Sequence, residues 1–498
     1  MLVGLLFGST GRAGAEAEPA PPRQELVAAV HVHSTASTGG LSLEDVASQA
    51  ERLGLDAVLL SDNFVLQFEY GLPPFRRLMR YGISLPSVVD YGIARYLQEV
   101  ADVQARHPGL LLMPGIEVAP HYFWTGSLFD GSLTMHNAQR NLLVLGLTKA
   151  EDYLDLPVSG HTAAYSFSGA GLQAAVPVVL FILAVWLWRD TRPEPLRAAG
   201  LKAVALWRGR VLGGLVGVLA LAMFIQGWPF SHPLYSSYKP DLGYQPYQTV
   251  IDMVGSRGGI TIWSMPEARD FSRHRFGPLG PVTITTEPYP EALLHTVGYD
   301  GFGGVYQDNR TAIRPGGEWD QSVDEFLSGH RARPPRLIGE LAFHGPGHDE
   351  KNLTDVLTVA WVKERSVPAL VDALGAGKVY GVERYQKDFR LQLEAFYLED
   401  SLGERRGEMG DVVQWEGLGP PAVRLKISAS DGGTYPIRVE IVRAGEVLAE
   451  VQGETPVDAR IVETRWVEDR PVAYRVAARG AGELLSNPIF VNPQLRDG

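Results

Sequence analysis

The sequence predicts an α/β chain in three parts: a largely parallel sheet of barrel type, a pair of uncharged helices that interrupts it, and a C-terminal all-β sandwich. Three observations carry this. Between Glu25 and Arg384 short apolar β-type runs alternate with amphipathic helical patterns, the signature of βαβ units and a parallel sheet. Two segments in the middle of that region carry no charge: 19 residues from Ala170 to Trp188 and 18 from Val211 to Trp228. After Arg384 the helical period gives way to alternation of period two, broken by Gly, Asp and Pro turns, as in an antiparallel sandwich.

The elements follow in chain order. Residues 1–24 open with MLVGLLFG and an Ala-Gly-Ala-Glu-Ala run, a signal-like segment with a Pro/Ala linker, although it lacks a basic start. Residues 25–169 hold the first part of the sheet. LVAAVHVH (Leu26 to His33) reads as a strand, LEDVASQAERLG as a helix stopping at Gly54, and DAVLLSD (Asp56 to Asp62) as the next strand. Further strands are expected at Gly109–Val118 and Asn141–Leu147. Residues 170–228 are expected to be a transmembrane hairpin, since each uncharged segment is long enough to cross roughly 30 Å of hydrocarbon as a helix. Arg189 to Arg210 between them holds six basic residues against two acidic ones, net +4. The positive-inside tendency puts that loop in the cytoplasm and both long flanks on the periplasmic or extracytoplasmic side. The lipid bilayer is therefore an expected partner. Residues 229–384 complete the sheet, with strands at Gly258–Ser264, Phe302–Asp308, Arg336–Phe343 and Val356–Val362 and helices near Gln248–Gly255, Pro290–Val297, Ser322–Ser328 and Val367–Leu374. Residues 385–498 are read as the β sandwich, a module for packing on the barrel or for binding a protein partner.

Composition narrows the function classes. Lys and Arg total 45 against 57 Asp and Glu, a net charge of −12. No basic stretch is long enough to track a phosphate backbone, so nucleic acid is not an expected ligand. The chain has no cysteine, which removes thiolate nucleophiles, Cys-based zinc sites, iron–sulfur clusters and disulfides together. Any metal chemistry must use His, Asp and Glu.

Those residue types gather at strand ends, where ligands of parallel α/β sheets sit. His31 and His33 lie two apart on the first strand, so alternation points them to one face, able to grip one ion. Asp62 ends the second strand, Glu117 the third, His136 precedes the fourth, and His344 ends a late one. His121 and His348 are read as loop residues, and His107 and His330 as ordinary surface histidines.

The runs HVHSTASTGG, LGLDAVLLSDN, PGIEV, a lone His, GGITIWSMPE and IGELAFHG resemble, in order and spacing, the successive motifs of the polymerase and histidinol phosphatase (PHP) domain, most closely its carbaryl-hydrolase-like branch. The resemblance covers roughly Val27 to Arg384 apart from the uncharged helices. It implies a distorted (β/α)7 TIM-like barrel in which His and carboxylate ligands hold Zn, Mn or Fe ions that activate water against phosphoesters, esters or amides. His31, His33, Glu117 and His136 match metal ligands. Four other positions depart from the pattern: Thr38 for an acid, Asn63 for a His, Met265 for a His, and Ala342 for an Asp. Thioether and neutral amide groups are poor ligands for such ions in an oxygen/nitrogen site. One or two divalent ions are therefore expected instead of three, with Glu340 or His348 as substitutes for a lost ligand.

Two functions follow. One is a membrane-tethered hydrolase acting on a small-molecule or phosphoester substrate, where Asp62 orients water as a base and His344 steadies the leaving oxygen. The other is a catalytically degenerate member that keeps the barrel as a binding or assembly module at the membrane.

Overall fold

The computed structural model describes residues 23–166, 171–189, 202–228, 230–308, 310–346 and 351–494. The signal-like segment up to residue 22, the centre of the basic loop and His348 lie outside them.

The chain begins as its sequence suggests. β1 (Gln24–Val32), α1 (Leu43–Arg52) and β2 (Ala57–Leu60) form a βαβ unit with parallel strands, Ala28 opposite Ala57. Ser42 caps α1 by accepting from the Asp45 backbone N–H at 3.1 Å, and Leu43, Val46, Ala47 and Ala50 form the buried stripe of the helix. The chain continues through β3 (Asp62–Asn63), a hairpin of β4 (Gln67–Gly71) and β5 (Arg80–Ser84), α2 (Val88–Tyr91) and α3 (Ile93–Arg106). It then forms β6 (Leu111–Met113), β7 (Gly115–Val118), β8 (Phe123–Thr125), β9 (Thr134–His136) and β10 (Leu142–Leu145). Beyond helices α4 (Gly171–Trp188) and α5 (Lys202–Gly227) come α6 (Gln245–Ser256), β11 (Ile260–Trp263), β12 (Asp270–Arg275), β13 (Pro281–Thr286) and α7 (Ala292–His295). The α/β part closes with β14 (Gly301–Val305), α8 (Glu318–Leu327), β15 (Arg336–Gly339), β16 (Val356–Val362), α9 (Val367–Ala376) and β17 (Val379–Arg384).

These strands pair in a more mixed way than the expected largely parallel barrel. They divide into a sheet containing β17-β16-β1-β2-β6 and a six-stranded sheet β15-β14-β11-β10-β7-β3. β1 runs antiparallel to β16, and β10 antiparallel to both β7 and β11. The chain crosses between the sheets at two single residues, Ser61 between β2 and β3 and Pro114 between β6 and β7. A proline lacks the N–H that a continuous ladder needs, so the strand breaks there and its second half joins the other sheet. The fold is thus a mixed α/β assembly of several sheets, and the residues after β15 return to β1, where a parallel bridge joins Phe343 to Val32.

The transmembrane hairpin is corrected as well. Among the described residues one helical stretch, Arg210–Gly227 in α5, is long and apolar enough to cross a bilayer. The apolar stretch of described residues in α4, Ala175–Trp188, is shorter, and Pro177 lies inside that helix. The two helices pack on each other where Gly213 admits the α4 backbone: a Cβ there would meet the Ala184 carbonyl oxygen at 2.9 Å. Their outer faces, including Phe181, Leu215 and Val218, are exposed.

Beyond Arg384 the chain is all β, from β18 (Leu391–Glu399) to β27 (Ile489–Val491). One layer is a four-stranded sheet that includes β18. The other layer continues the first sheet of the α/β part, since Gly482–Ser486 runs antiparallel to β17. Val359 and Trp361 of β16 and Tyr380 and Val382 of β17 belong to the same core as Phe396, Leu425 and Tyr474. β16 and β17 therefore serve both halves of the molecule.

Candidate metal centre

The site begins at an irregularity in β1. Its pairing with β2 shifts register between Val30 and Val32, and His31, between them, has φ +67°. This bulge turns His31 out of the ladder, so simple alternation does not explain how it meets His33, which lies just beyond the strand. Leu341–Phe343 closes over the bulge: Phe343 N–H donates to the His31 carbonyl at 2.9 Å, and His33 N–H to the Phe343 carbonyl at 2.8 Å. Ala342 and Met265 also take positive φ, +52° and +39°. All three residues line one cavity of about 340 Å³, in line with the tendency of backbone strain to collect at functional sites.

His31, His33 and Glu117 each present one ligand atom, all within 4.8 Å of one another, and all three residues are buried. Glu117 Oε1 lies 3.3 Å from His31 Nε2, and Oε2 lies 3.8 Å from His33 Nε2. His31 Nε2 is buried with no hydrogen-bond partner, an atom aimed at its neighbours' oxygen without satisfying itself. His31 Nδ1, by contrast, is gripped by Glu340 Oε1 at 2.5 Å. Glu340 is fully buried and also accepts from Ser264 Oγ and from the Met265 N–H at 3.1 Å. A carboxylate holding one nitrogen of a histidine while the other points at a metal position is the usual second layer of a zinc-type site. Two imidazoles and a carboxylate suit a divalent ion of zinc, manganese or iron type, and the residues present fit such an ion.

Charge supports the same arrangement. Burial, the largest influence on His31, disfavours its protonated form, but the flanking Glu117 and Glu340 carboxylates outweigh it and push the imidazole up to about 9. Glu117 is lowered: burial works against its ionisation, and His31, His344 and the Asn141 hydrogen bond overcome it. His31 in its protonated form stands between two buried carboxylates, an arrangement in which a divalent cation could substitute for the proton.

The sequence motifs map onto this cavity unevenly. Thr38, Asn63, Met265 and Ala342, the four departures from the family pattern, all line it, as does His344, whose ring stacks on His33 at 4.0 Å. Thr38 Oγ1 donates to Asn63 Oδ1 at 2.7 Å, and Asn63 Nδ2 donates to Glu117 Oε2 at 2.6 Å. Asn141 Nδ2 holds the other oxygen of Glu117 at 2.6 Å.

Asp62 and His136 have other partners. Asp62 accepts from Ser34 N–H, Ser34 Oγ and Ser37 Oγ at 2.7, 2.9 and 2.7 Å, which fastens the loop carrying Thr38 and occupies both oxygens; burial raises its carboxyl against those bonds. His136 sits in the separate sheet of β8, β9, β12 and β13, with Nε2 2.7 Å from Thr125 Oγ1 and its ring stacked on Phe123 at 4.7 Å. The strand pairing that sets it there was not readable from a lone His between two motifs. His121, read as a loop residue, is buried, its two nitrogens have no hydrogen-bond partner, and burial lowers it to about 4. His107, read as a surface histidine, is buried between Glu44 and Glu51, at 3.0 and 2.8 Å.

Asn141 and the orienting role of Glu340 were missed. The signal for Glu340 was a lone acid in the otherwise apolar run LIGELAF, four residues before His344. Gly303 supplies its space, for a Cβ at that position would stand 1.8 Å from Glu340 Oε2.

No family model and no curated protein matches the chain. Among solved structures it is similar to a two-domain protein from Bacteroides vulgatus containing a predicted PHP-like metal-dependent phosphoesterase, at 11% identity over 97% of this chain and 99% of that one, with a TM-score of 0.37. A Bifidobacterium adolescentis protein assigned as a metal-dependent phosphoesterase shares 15% identity over 66% of this chain and 90% of its own, TM-score 0.28. An amidohydrolase from Chromobacterium violaceum with bound sulfate and no metal shares 15% over 65% and 89%, TM-score 0.25. None of the three speaks for the carbaryl-hydrolase branch. With every TM-score below 0.5 these likenesses bear no weight in the reading of the site, which rests on the residues themselves.

Proposed function

We propose that the protein is a metal-dependent hydrolase of PHP-like type, acting on a phosphoester, ester or amide, with a reduced metal set of one or two divalent ions. The observation that carries it is the buried His31, His33 and Glu117 group, its ligand atoms within 4.8 Å of one another, on a cavity with room for a small molecule.

His31 Nε2, His33 and Glu117 would hold the ion. When bound, it supplies a Lewis acid that polarises the scissile group and lowers the pKa of a water. The chain's own residues do the rest. Glu340 fixes the tautomer and ring plane of His31. Asn63 and Asn141 hold the two oxygens of Glu117, leaving each one further lone pair. His344, on the cavity wall beside His33, is placed to give a proton to the leaving oxygen. The bonds through Thr38, Asn63 and Glu117 fill the space where the family pattern has two more ligands, which supports the reduced set.

Metal analysis of the purified chain beside His31→Ala tests this. We expect zinc or manganese in the first, loss in the variant, and chelator-sensitive hydrolysis of bis(4-nitrophenyl) phosphate or 4-nitrophenyl acetate. Three tight ions per chain would overturn the reduced set. Absence of metal binding would leave the binding-module reading.

We propose further that the exposed apolar faces of α4 and α5 seat the protein on a lipid surface, a reading supported by Val218 at 68% and Leu215 at 63% exposure. Flotation with phosphatidylcholine vesicles should carry the intact chain upward, and a Leu215→Glu, Val218→Glu variant should stay at the bottom of the gradient.

A further inference from the structure

The cavity that holds the metal group also has an apolar wall of separate origin. Leu66, Phe68 and Leu85 line it beside His31, Glu117 and His344. All three come from the β4–β5 hairpin, a two-stranded sheet of its own, and the Leu85 N–H donates to the Leu66 carbonyl at 2.9 Å, extending the ladder past β4 and β5. Alternation along a strand sends successive side chains to opposite faces. Leu66 and Phe68 accordingly meet the metal cavity, while Gln67 and Glu69 meet a second cavity of about 540 Å³ that Ile225 and Trp228 of the α5 region also line. The hairpin is a partition with one apolar and one polar face.

That wall is anchored from outside the site. Arg77, between β4 and β5, donates its backbone N–H to Gln226 Oε1 at 2.7 Å and its Nη1 to the Trp228 carbonyl at 2.8 Å. Phe68 packs edge-on against Tyr122 at 5.4 Å. Leu85 keeps 44% of its surface exposed, an apolar side chain left open beside buried charged groups. None of the three has a role in holding metal.

We propose that the β4–β5 hairpin determines specificity, and that the substrate carries an apolar arm, alkyl or aryl, next to its hydrolysable group, laid on Leu66, Phe68 and Leu85 while the polar head meets the metal group. This rests on the hydrolase reading and adds the chemical class of its substrate. An arm of several carbons gains from burial in proportion to its area, whereas a small or wholly polar ester leaves the wall wet.

Alkylphosphonates, which carry an anionic head and are not hydrolysed at the P–C bond, serve as probes of full-length protein by calorimetry. From ethyl to butyl to hexylphosphonate the affinity should rise by about fourfold per methylene. Leu85→Asp, at an exposed position that tolerates change, and Phe68→Ser should flatten that series while zinc titration of the same samples stays as in the parent. Zinc binding with a flat phosphonate series in the parent chain overturns the wall and spares the metal reading. A steep series in protein that takes no zinc does the reverse. Binding of neither zinc nor phosphonate overturns both, and a slope that survives both substitutions places the apolar arm elsewhere and overturns the hairpin's role.

Discussion

At the residue scale the chemistry turns on one imidazole with a different master on each nitrogen. In the metal-free protein the proton shared among His31, Glu117 and Glu340 stabilises the fold, because the folded value of about 9 lies above the ordinary 6.5. That contribution is complete below pH 6.5 and is lost as pH rises through about 9. A divalent ion must displace the same proton. Metal affinity should therefore increase with pH up to about 9, with close to one proton released per ion near neutral pH; calorimetry in buffers of different ionisation enthalpy measures it, and binding with no pH dependence would contradict the arrangement. Glu340→Gln removes the charge behind His31 and keeps the shape. It should weaken metal binding about 10- to 100-fold with all three ligands intact, read by competition with a chromophoric chelator. Asn63→His restores an imidazole on the cavity wall, and the number of ions bound per chain should rise.

At the element scale the site depends on where strands are interrupted. The β1 bulge and the strained residues Met265 and Ala342 bring three chain segments to one cavity. Gly303 of β14 lies under Glu340. Gly303→Ala would drive a methyl into that carboxylate, so we expect about 1–3 kcal/mol of destabilisation from overpacking, together with weakened zinc binding, because His31 loses its orienting partner. Denaturant titration and zinc titration of the one variant check both; unchanged values for each would show that Glu340 has another place to go. A helix such as α1 was legible from its apolar stripe and Ser cap, since those signals act within a few residues. The bulge at His31 was not, because it is imposed by Leu341–Phe343, some 310 residues later in the chain.

At the scale of the whole molecule the two halves share strands. β17 pairs on one side with β16 and on the other with Gly482–Ser486. Arg475 of the C-terminal part donates Nε and Nη2 to Asp320 of α8 at 2.9 and 2.8 Å, both side chains being buried. Breaking such a pair from one side leaves a buried charge uncompensated, so Arg475→Ala should cost about 3–5 kcal/mol, measured by denaturant unfolding. The chain cut after residue 384, or the piece from 385 onward alone, should fail to give a cooperative melt, because each exposes a sheet edge and half of a shared core. A sharp two-state melt of either piece would show that the halves are independent after all.

What the sequence by itself determined about this protein is local: the βαβ start, the helices α6, α8 and α9, the switch to β structure after Arg384, and the presence of His31, His33 and Glu117, side chains of a type that can hold a metal, at strand ends. Each rests on periodicity, capping or residue chemistry over short spans. The tertiary structure alone decided that Pro114 and Ser61 split the strands between two sheets. It also drew His136 into another sheet, spent Asp62 on the loop after β1, and set Glu340 behind His31. Those outcomes depend on which strands pair across hundreds of residues, and a hydrogen-bond partner contributed from so far along the chain leaves no periodic trace in the segment that receives it.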